Sequence, residues 1–333
     1  MPLLEIKNLS TEFVTEQGTV QAVRDVSFTL EQGEVLGIVG ESGSGKSQTM
    51  FSLMGLLADN GQVTSGTITF DDQDISPSNF KTKKEHEKVM QGIRGNSMAM
   101  IFQDPMTFLN QIMKIEDQMI EPMMNHSKMT RNQARERALD LMRKVGISSP
   151  EKRIKQYPFE FSGGMRQRII IAIALANNPK LIIADEPTTA LDVTIQAQVL
   201  ELIDSLMEES SSSIIMITHD LGVVAKLCNR VAIMYGGKIV EIGTDEEIFY
   251  NPKHPYTKGL LSCISNPEED NTNKLKPIPG SPPDLMKPPV GCPFVDRCEK
   301  AMKICKLKMP DVTELSATHQ CKCWLSHEKA VML

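Results

Sequence analysis

No stretch of these 333 residues stays apolar for the roughly 18 positions that a helix needs to cross a bilayer. The stretch Ile169–Ala176 has the length of a core helix segment instead. A basic excess is also lacking: Asp and Glu number 42 against 36 Lys and Arg, the net charge is −6, and no long basic run occurs. Nucleic-acid-binding surfaces are usually basic, so no nucleic-acid partner is expected. The opening Met-Pro-Leu-Leu-Glu has neither a basic start nor a continuous apolar stretch, so no secretory signal is read and residence in the cytoplasm is the expectation. Internal repeats and paired C-x-x-C knuckles are missing as well, although the chain holds 7 cysteines. In a reducing compartment those thiols are not a disulfide framework, and their placement matters more than their number.

What is present is ordinary globular composition, 41% hydrophobic and 23% charged, in a chain long enough for one large α/β domain and a smaller appendage. Its sharpest feature is Gly-Glu-Ser-Gly-Ser-Gly-Lys-Ser at residues 40–47, the G-x-x-x-x-G-K-[ST] spacing of a phosphate-cradling loop. Gly40, Gly43 and Gly45 supply the freedom to wrap backbone N–H groups, those of Ser42 and Ser44 among them, around a polyphosphate. Lys46 can reach the β- and γ-phosphates, and Ser47 can ligate Mg²⁺. The apolar run Val35–Val39 before the loop suits a buried parallel strand, and residues Gln48 to Leu57 after it suit a helix. The phosphates would then sit on a helix N-terminus. These residues point to a nucleoside triphosphate.

Short apolar strands alternate with helical stretches from Leu3 to about Ile242, the mark of a layered α/β domain. Residues 1–33 and 63–71 read as an antiparallel flank, and residues 107–178 as an inserted helical subdomain rich in Met, Gln and Arg. Core strands follow at Leu181–Ala184, Ile214–Ile217 and Val231–Tyr235, while Ser210–Ser213 reads as a polar loop tip. A Pro-, Gly- and Asn-bearing connector over 266–293 leads to a compact cysteine-bearing tail, Cys292 to Trp324. Met119, Met123 and Met124 read as adaptable packing, and Cys228 and Cys263 as small core residues within helical stretches.

The strand Leu181–Ala184 runs into Asp185 and Glu186, at the edge where open α/β sheets bind ligands. Asp185 would hold the Mg²⁺ shell, and Glu186 could polarise an attacking water. Ser162-Gly163-Gly164, ahead of a helical run, offers a second anion site, although by itself the triplet could be a plain helix cap. One γ-phosphate does not need both sites from one monomer, so the economical arrangement is two chains head to tail. In the tail, Cys292, Cys298, Cys305 and either Cys321 or Cys323 offer four thiolates. That set suits zinc or an iron–sulfur cluster, and simple thiols are the alternative.

The order of phosphate loop, Gln103, Ser162-Gly-Gly-Met-Arg-Gln-Arg, Asp185-Glu186, Ala190-Leu191-Asp192 and Thr218-His219-Asp220 resembles the ATP-binding-cassette (ABC) ATPases over about residues 3–265. The resemblance implies an ABC-type P-loop fold with an antiparallel β flank and helical subdomain over residues 1–265, and a small Cys-containing extension over 266–333. It implies ATP and Mg²⁺ as ligands, with Phe13 as the adenine platform, Gln103 touching Mg²⁺ and sensing a transporter subunit, and His219 at the γ-phosphate. Ser162 and Gly164 would contact the nucleotide of the opposite chain, with Asp192 at the seam.

Pro187–Gln198, then His254-Pro-Tyr-Thr, Ile278-Pro-Gly-Ser-Pro-Pro and Gly291-Cys-Pro-Phe look like the peptide/nickel branch of bacterial ABC importers, in the D-type rather than the F-type subunit. That likeness implies two transmembrane permease subunits, a paralogous F-type ATPase subunit and an extracytoplasmic substrate-binding protein as partners. It places the chain peripherally on the cytoplasmic face of the membrane. In that branch a similar Cys pattern goes with a [4Fe–4S] cluster, which favours Cys323 over Cys321 as the fourth ligand. A nickel-chelate importer and a soluble non-transport ABC ATPase are the alternatives. Three departures from the pattern, Phe161 for Leu, Gln48 for Thr and Gln111 for Pro, remove no group assigned to chemistry.

Overall fold

The computed structural model describes residues 1–188, 192–210, 212–263 and 278–327. The chain forms two compact units, the first from Met1–Leu30, Val35–Phe80 and Thr218–Leu333, the second from Glu31–Glu34 and Lys81–Ile217.

In the first unit, a four-stranded antiparallel sheet runs in the order Gly18–Leu30, Leu4–Thr15, Gly61–Phe70, Gln73–Asp74. Leu4 and Ile6 point inward at even positions, whereas Leu9 and Thr11 do so at odd ones. The register shift between Ile6 and Leu9, with Asn8 at φ 51°, makes that change of phase and keeps the apolar set inside. The second sheet of this unit holds the wholly buried strand Val35–Val39, paired in parallel with Arg230–Tyr235. Gly236 and Gly237, both at positive φ, return the chain antiparallel as Lys238–Thr244. Glu241 and Ile242 then pair with Cys321 and Gln320, so the cysteine-bearing tail is stitched onto the same sheet.

In the second unit, Met98–Ile101, Leu181–Asp185 and Ser213–Thr218 run parallel. Their continuous burial explains why they read as apolar runs without alternation. The helices Ile115–His126, Arg131–Lys144 and Gly163–Ala174 pack on one another. Met119 and Met123 are fully buried there, as packing residues should be, but Met124 faces solvent.

Other local expectations need correction. The helix after the phosphate loop is Lys46–Met54, ended by Gly55 in the left-handed conformation that closes a helix. Ser212 and Ser213 are buried, not at a loop tip. Ser213 Oγ donates to Glu31 O and accepts from Gly33 N–H, replacing the water a serine would otherwise seek. Cys228 is buried but ends its helix rather than lying within it, and Cys263 is exposed. Positions 266–277 of the expected connector lie outside the described residues.

Candidate nucleotide site and cysteine cavity

The motif residues are divided between the units. Phe13, the phosphate loop and His219 belong to the first; Gln103, Ser162–Gly164, Asp185, Glu186 and Asp192 belong to the second.

The phosphate loop links the strand Val35–Val39 to the helix Lys46–Met54, with Gly45 at the helix N-cap at φ 101°. Its glycines serve packing as well as ligand access. A Cβ on Gly40 would lie 2.1 Å from Met234 O, and one on Gly45 would lie 2.3 Å from Ala22 O. The loop is thus wedged from behind against backbone, while Ser42 and Gly43 face solvent. Lys46 is 6% exposed and its ammonium is folded back, donating to Gly40 O at 2.8 Å and Glu41 O at 3.1 Å. Ser44 Oγ is buried without a hydrogen-bond partner. An orphaned hydroxyl, a cation and the first N–H groups of a helix are together what an anionic oxygen requires.

Phe13 is half-buried on Leu4–Thr15, and the absent side chain of Gly61 leaves room for its ring. His219 is exposed, next to Asp220, whose carboxylate caps the helix Leu221–Leu227 by accepting from Gly222 N–H at 2.8 Å.

In the second unit, Gln103 Nε2 donates to Glu186 Oε2 at 2.9 Å, so these two predicted residues meet directly. Asp185 ends its strand 3% exposed. Glu186, the next residue, sits at φ 46°, and its N–H donates to Ile217 O at 2.9 Å. A non-glycine residue in that backbone region is strained, and such strain gathers at functional positions. Ser162 caps the helix Gly163–Ala174, accepting from Met165 N–H at 3.4 Å. Asp192 is exposed and accepts from Ile195 N–H at 3.0 Å. Ser162 and Gly163 are exposed, which leaves this face accessible to a ligand.

Sequence reasoning missed two residues that build this half. Arg166 Nε donates to Pro158 O and Phe161 O, fixing the chain that enters the Ser-Gly-Gly turn. Gln167, 1% exposed, donates to Pro187 O at 2.7 Å and ties that turn's helix to the segment just after Glu186. A glutamine inside an otherwise apolar helix face was the available signal.

The tail forms a separate site in the first unit. Cys292, Cys298, Cys305 and Cys323 all line one cavity of about 20 Å³, room for about one water, together with His254, Phe294 and Trp324. Cys321 lies outside that lining. Burial pushes the Cys292 thiol up to about 12 and the Cys323 thiol up to about 11, so both are protonated near neutrality. Among the described residues, no three His, Cys, Asp or Glu side chains are grouped as they would be around one metal ion.

His254 explains part of the His-Pro-Tyr-Thr motif. It caps the helix Pro255–Ser262, its Nδ1 accepting from Tyr256 N–H at 3.1 Å, with Pro255 at the first helical position. The ring hydrogen therefore sits on Nε2, which is buried without a partner. Burial drives its pKa down to about 3. By donor type alone these thiols and the orphaned N–H suit a thiolate-bound centre, since such sulfurs accept hydrogen bonds; as placed, they are not grouped around one ion. Glu241, also buried, gathers this region: it accepts from Lys253 N–H and His254 N–H, and its Oε1 lies 2.8 Å from His319 Nε2.

The family model described as ABC transporter matches residues 23–189, and that described as the oligopeptide/dipeptide transporter C-terminal region matches residues 240–305. The dipeptide transport ATP-binding protein DppD of Bacillus subtilis (strain 168) is 51% identical over 98% of this chain and 96% of its own. The oligopeptide transport ATP-binding protein OppD of the same organism is 52% identical over 98% of this chain and 90% of its own. OppD of Escherichia coli (strain K12) is 49% identical over 92% and 89%. Among solved structures, the dimeric post-hydrolysis state of the ATP-binding cassette MJ0796 bound to ADP and Pi superposes with a TM-score of 0.62 at 26% identity, covering 72% of this chain and 98% of that one. With residues 23–189 and 240–305 so matched, the chain belongs to the ABC transporter family as an ATP-binding subunit carrying the C-terminal region of the oligopeptide/dipeptide transporters.

Proposed function

We propose that this chain hydrolyses ATP to drive uptake of di- or oligopeptides through two permease subunits. The observation that carries this reading is about 50% identity, sustained over 98% of the chain, to ATP-binding proteins named for dipeptide and oligopeptide transport. Those names favour peptides over a nickel chelate, and the matched transporter C-terminal region favours an importer over a soluble ATPase.

In this reading the phosphate loop takes the triphosphate: Lys46 leaves Gly40 O and Glu41 O for the β- and γ-oxygens, and Ser44 Oγ gains its missing partner. The hydroxyl of Ser47 and the carboxylate of Asp185, with Gln103, are hard oxygen donors that suit Mg²⁺. Glu186 polarises the attacking water, held in line by Gln103 Nε2, and His219 contacts the γ-phosphate. Phe13 supports adenine. Ser162, Gly163 and Gly164 close over the nucleotide of an opposing ATPase subunit, with Asp192 at the seam, and the opposing subunit is a paralogous F-type chain. The γ-phosphate then bridges two prepared anion sites, and hydrolysis removes the bridge. An extracytoplasmic binding protein delivers the cargo, and the chain attaches peripherally to the cytoplasmic membrane face through its permeases. No helix among the described residues is long and apolar enough to cross a membrane.

The residues that would hold a [4Fe–4S] cluster are Cys292, Cys298, Cys305 and Cys323, and the cluster would cross-link the tail.

The test is uptake of labelled dipeptides and oligopeptides, and of nickel, by cells carrying this chain or its Glu186→Gln variant. Loss of peptide uptake alone is the expected result; loss of nickel uptake with peptides unaffected would overturn the cargo assignment.

A further inference from the structure

Glu41, the second residue of the phosphate loop, is held from two sides by residues far away in sequence. Its N–H donates to Tyr256 Oη at 2.9 Å. Its carboxylate accepts from Arg297 Nη1 at 2.7 Å. Tyr256 belongs to the His-Pro-Tyr-Thr segment, and Arg297 to the single turn Val295–Arg297 immediately before Cys298.

Arg297 is itself held at all three of its nitrogens. Nη1 also donates to Tyr235 Oη at 3.0 Å, Nη2 to Ile278 O at 3.2 Å, and Nε to Pro279 O at 2.8 Å. Its guanidinium lies over the rings of Tyr235 and Phe294, and its side chain is only 7% exposed. A planar cation fixed along three edges cannot follow Glu41 outward, so the carboxylate must come to it. The consequence reaches the Lys46 ammonium, because two of its acceptors are the carbonyls of Gly40 and Glu41. Whatever orients Glu41 orients those carbonyls, and with them the resting place from which Lys46 moves to phosphate.

We infer that Arg297 is a positioning residue for ATP: through Glu41 it sets the shape of the phosphate loop, so the C-terminal extension determines nucleotide affinity. This rests on the reading that the loop at residues 40–47 binds ATP. Surface ion pairs are worth little, but this one is shielded, stacked and shared with a buried tyrosine, the setting in which coupling is substantial.

The experiment uses the full-length chain and measures binding of a fluorescent ATP analogue, with steady-state hydrolysis of the assembled transporter. Arg297→Met should weaken nucleotide affinity about tenfold and raise KM with little change in kcat, and Arg297→Lys should recover part of the loss. Glu41→Gln should weaken binding similarly, and adding Arg297→Met to it should cost little more, because both act through one contact. Melting temperature is measured in parallel. If Arg297→Met does not fold, Glu41→Gln and Arg297→Lys carry the test, and both must raise the dissociation constant.

Affinity within twofold of wild type in folded Arg297→Met, or fully additive losses in the double variant, would overturn the inference. Affinity unchanged by Lys46→Ala would instead sink the underlying assignment of the ATP site, so the two failures are distinguishable.

Discussion

Gln103 donates its side-chain N–H to the carboxylate of Glu186 at 2.9 Å, and Glu186 holds that position with its backbone at φ 46°. The amide and the carboxylate form one unit, so the group proposed to polarise water is bonded by a residue 83 positions earlier.

Replacing Glu186 by Gln keeps the backbone conformation and a hydrogen-bonding side chain but removes the base. ATP binding should persist while turnover falls by about 10² or more. Single-turnover hydrolysis beside equilibrium binding checks both parts. Undiminished turnover would remove Glu186 from the chemistry.

Lys46→Ala should abolish nucleotide binding while the chain still folds, because the bonds from its ammonium to Gly40 O and Glu41 O lie within the loop itself. Gly40→Ala should fail differently. Its Cβ would overlap Met234 O, so the loop and the strand behind it must part, costing about 1–3 kcal/mol of stability as well as binding. Thermal melts separate the two variants.

His254 should make the fold acid-sensitive. Buried and neutral, it has a pKa driven down to about 3, whereas in the unfolded chain it titrates near its ordinary 6.5. The unfolded state therefore binds the extra proton between those values, and stability present above pH 6.5 is lost as pH falls toward 3. The slope from this one group approaches about 1.4 kcal/mol per pH unit. In His254→Asn the amide oxygen can still cap Tyr256 N–H, yet nothing titrates. Urea midpoints at pH 7 and pH 5 should differ less in that variant than in wild type.

The cysteine cavity makes a compositional prediction. Anaerobically purified chain should carry iron and sulfide, and replacing Cys292, Cys298, Cys305 or Cys323 by Ser should lower both, while Cys321→Ser should not. Because burial keeps Cys292 and Cys323 protonated, loading must expel protons and should weaken as pH falls. Absence of iron, sulfide and zinc from native protein would remove the centre.

Much of this was legible in the chain itself. The order of Gly40–Ser47, Gln103, Ser162–Gly164, Asp185-Glu186 and His219 carries the family, because phosphate and metal chemistry admit few residue types at those places. The strands Val35–Val39 and Leu181–Asp185 were equally plain, being buried on both faces and so apolar throughout.

Other features belong to tertiary structure. Sequence alone favoured Cys323 over Cys321 only by resemblance, whereas the fold places Cys323 at the cavity and turns Cys321 onto the strand beside Glu241. Ser213 looked like a loop residue because a serine shows no partner in sequence, yet Glu31 and Gly33 supply one. The clamp of Arg297 on Glu41 spans 256 positions and has no local signature. Local chemistry fixes which groups can bind phosphate; which distant side chain steadies them depends on where the sheet returns the tail, and only packing decides that.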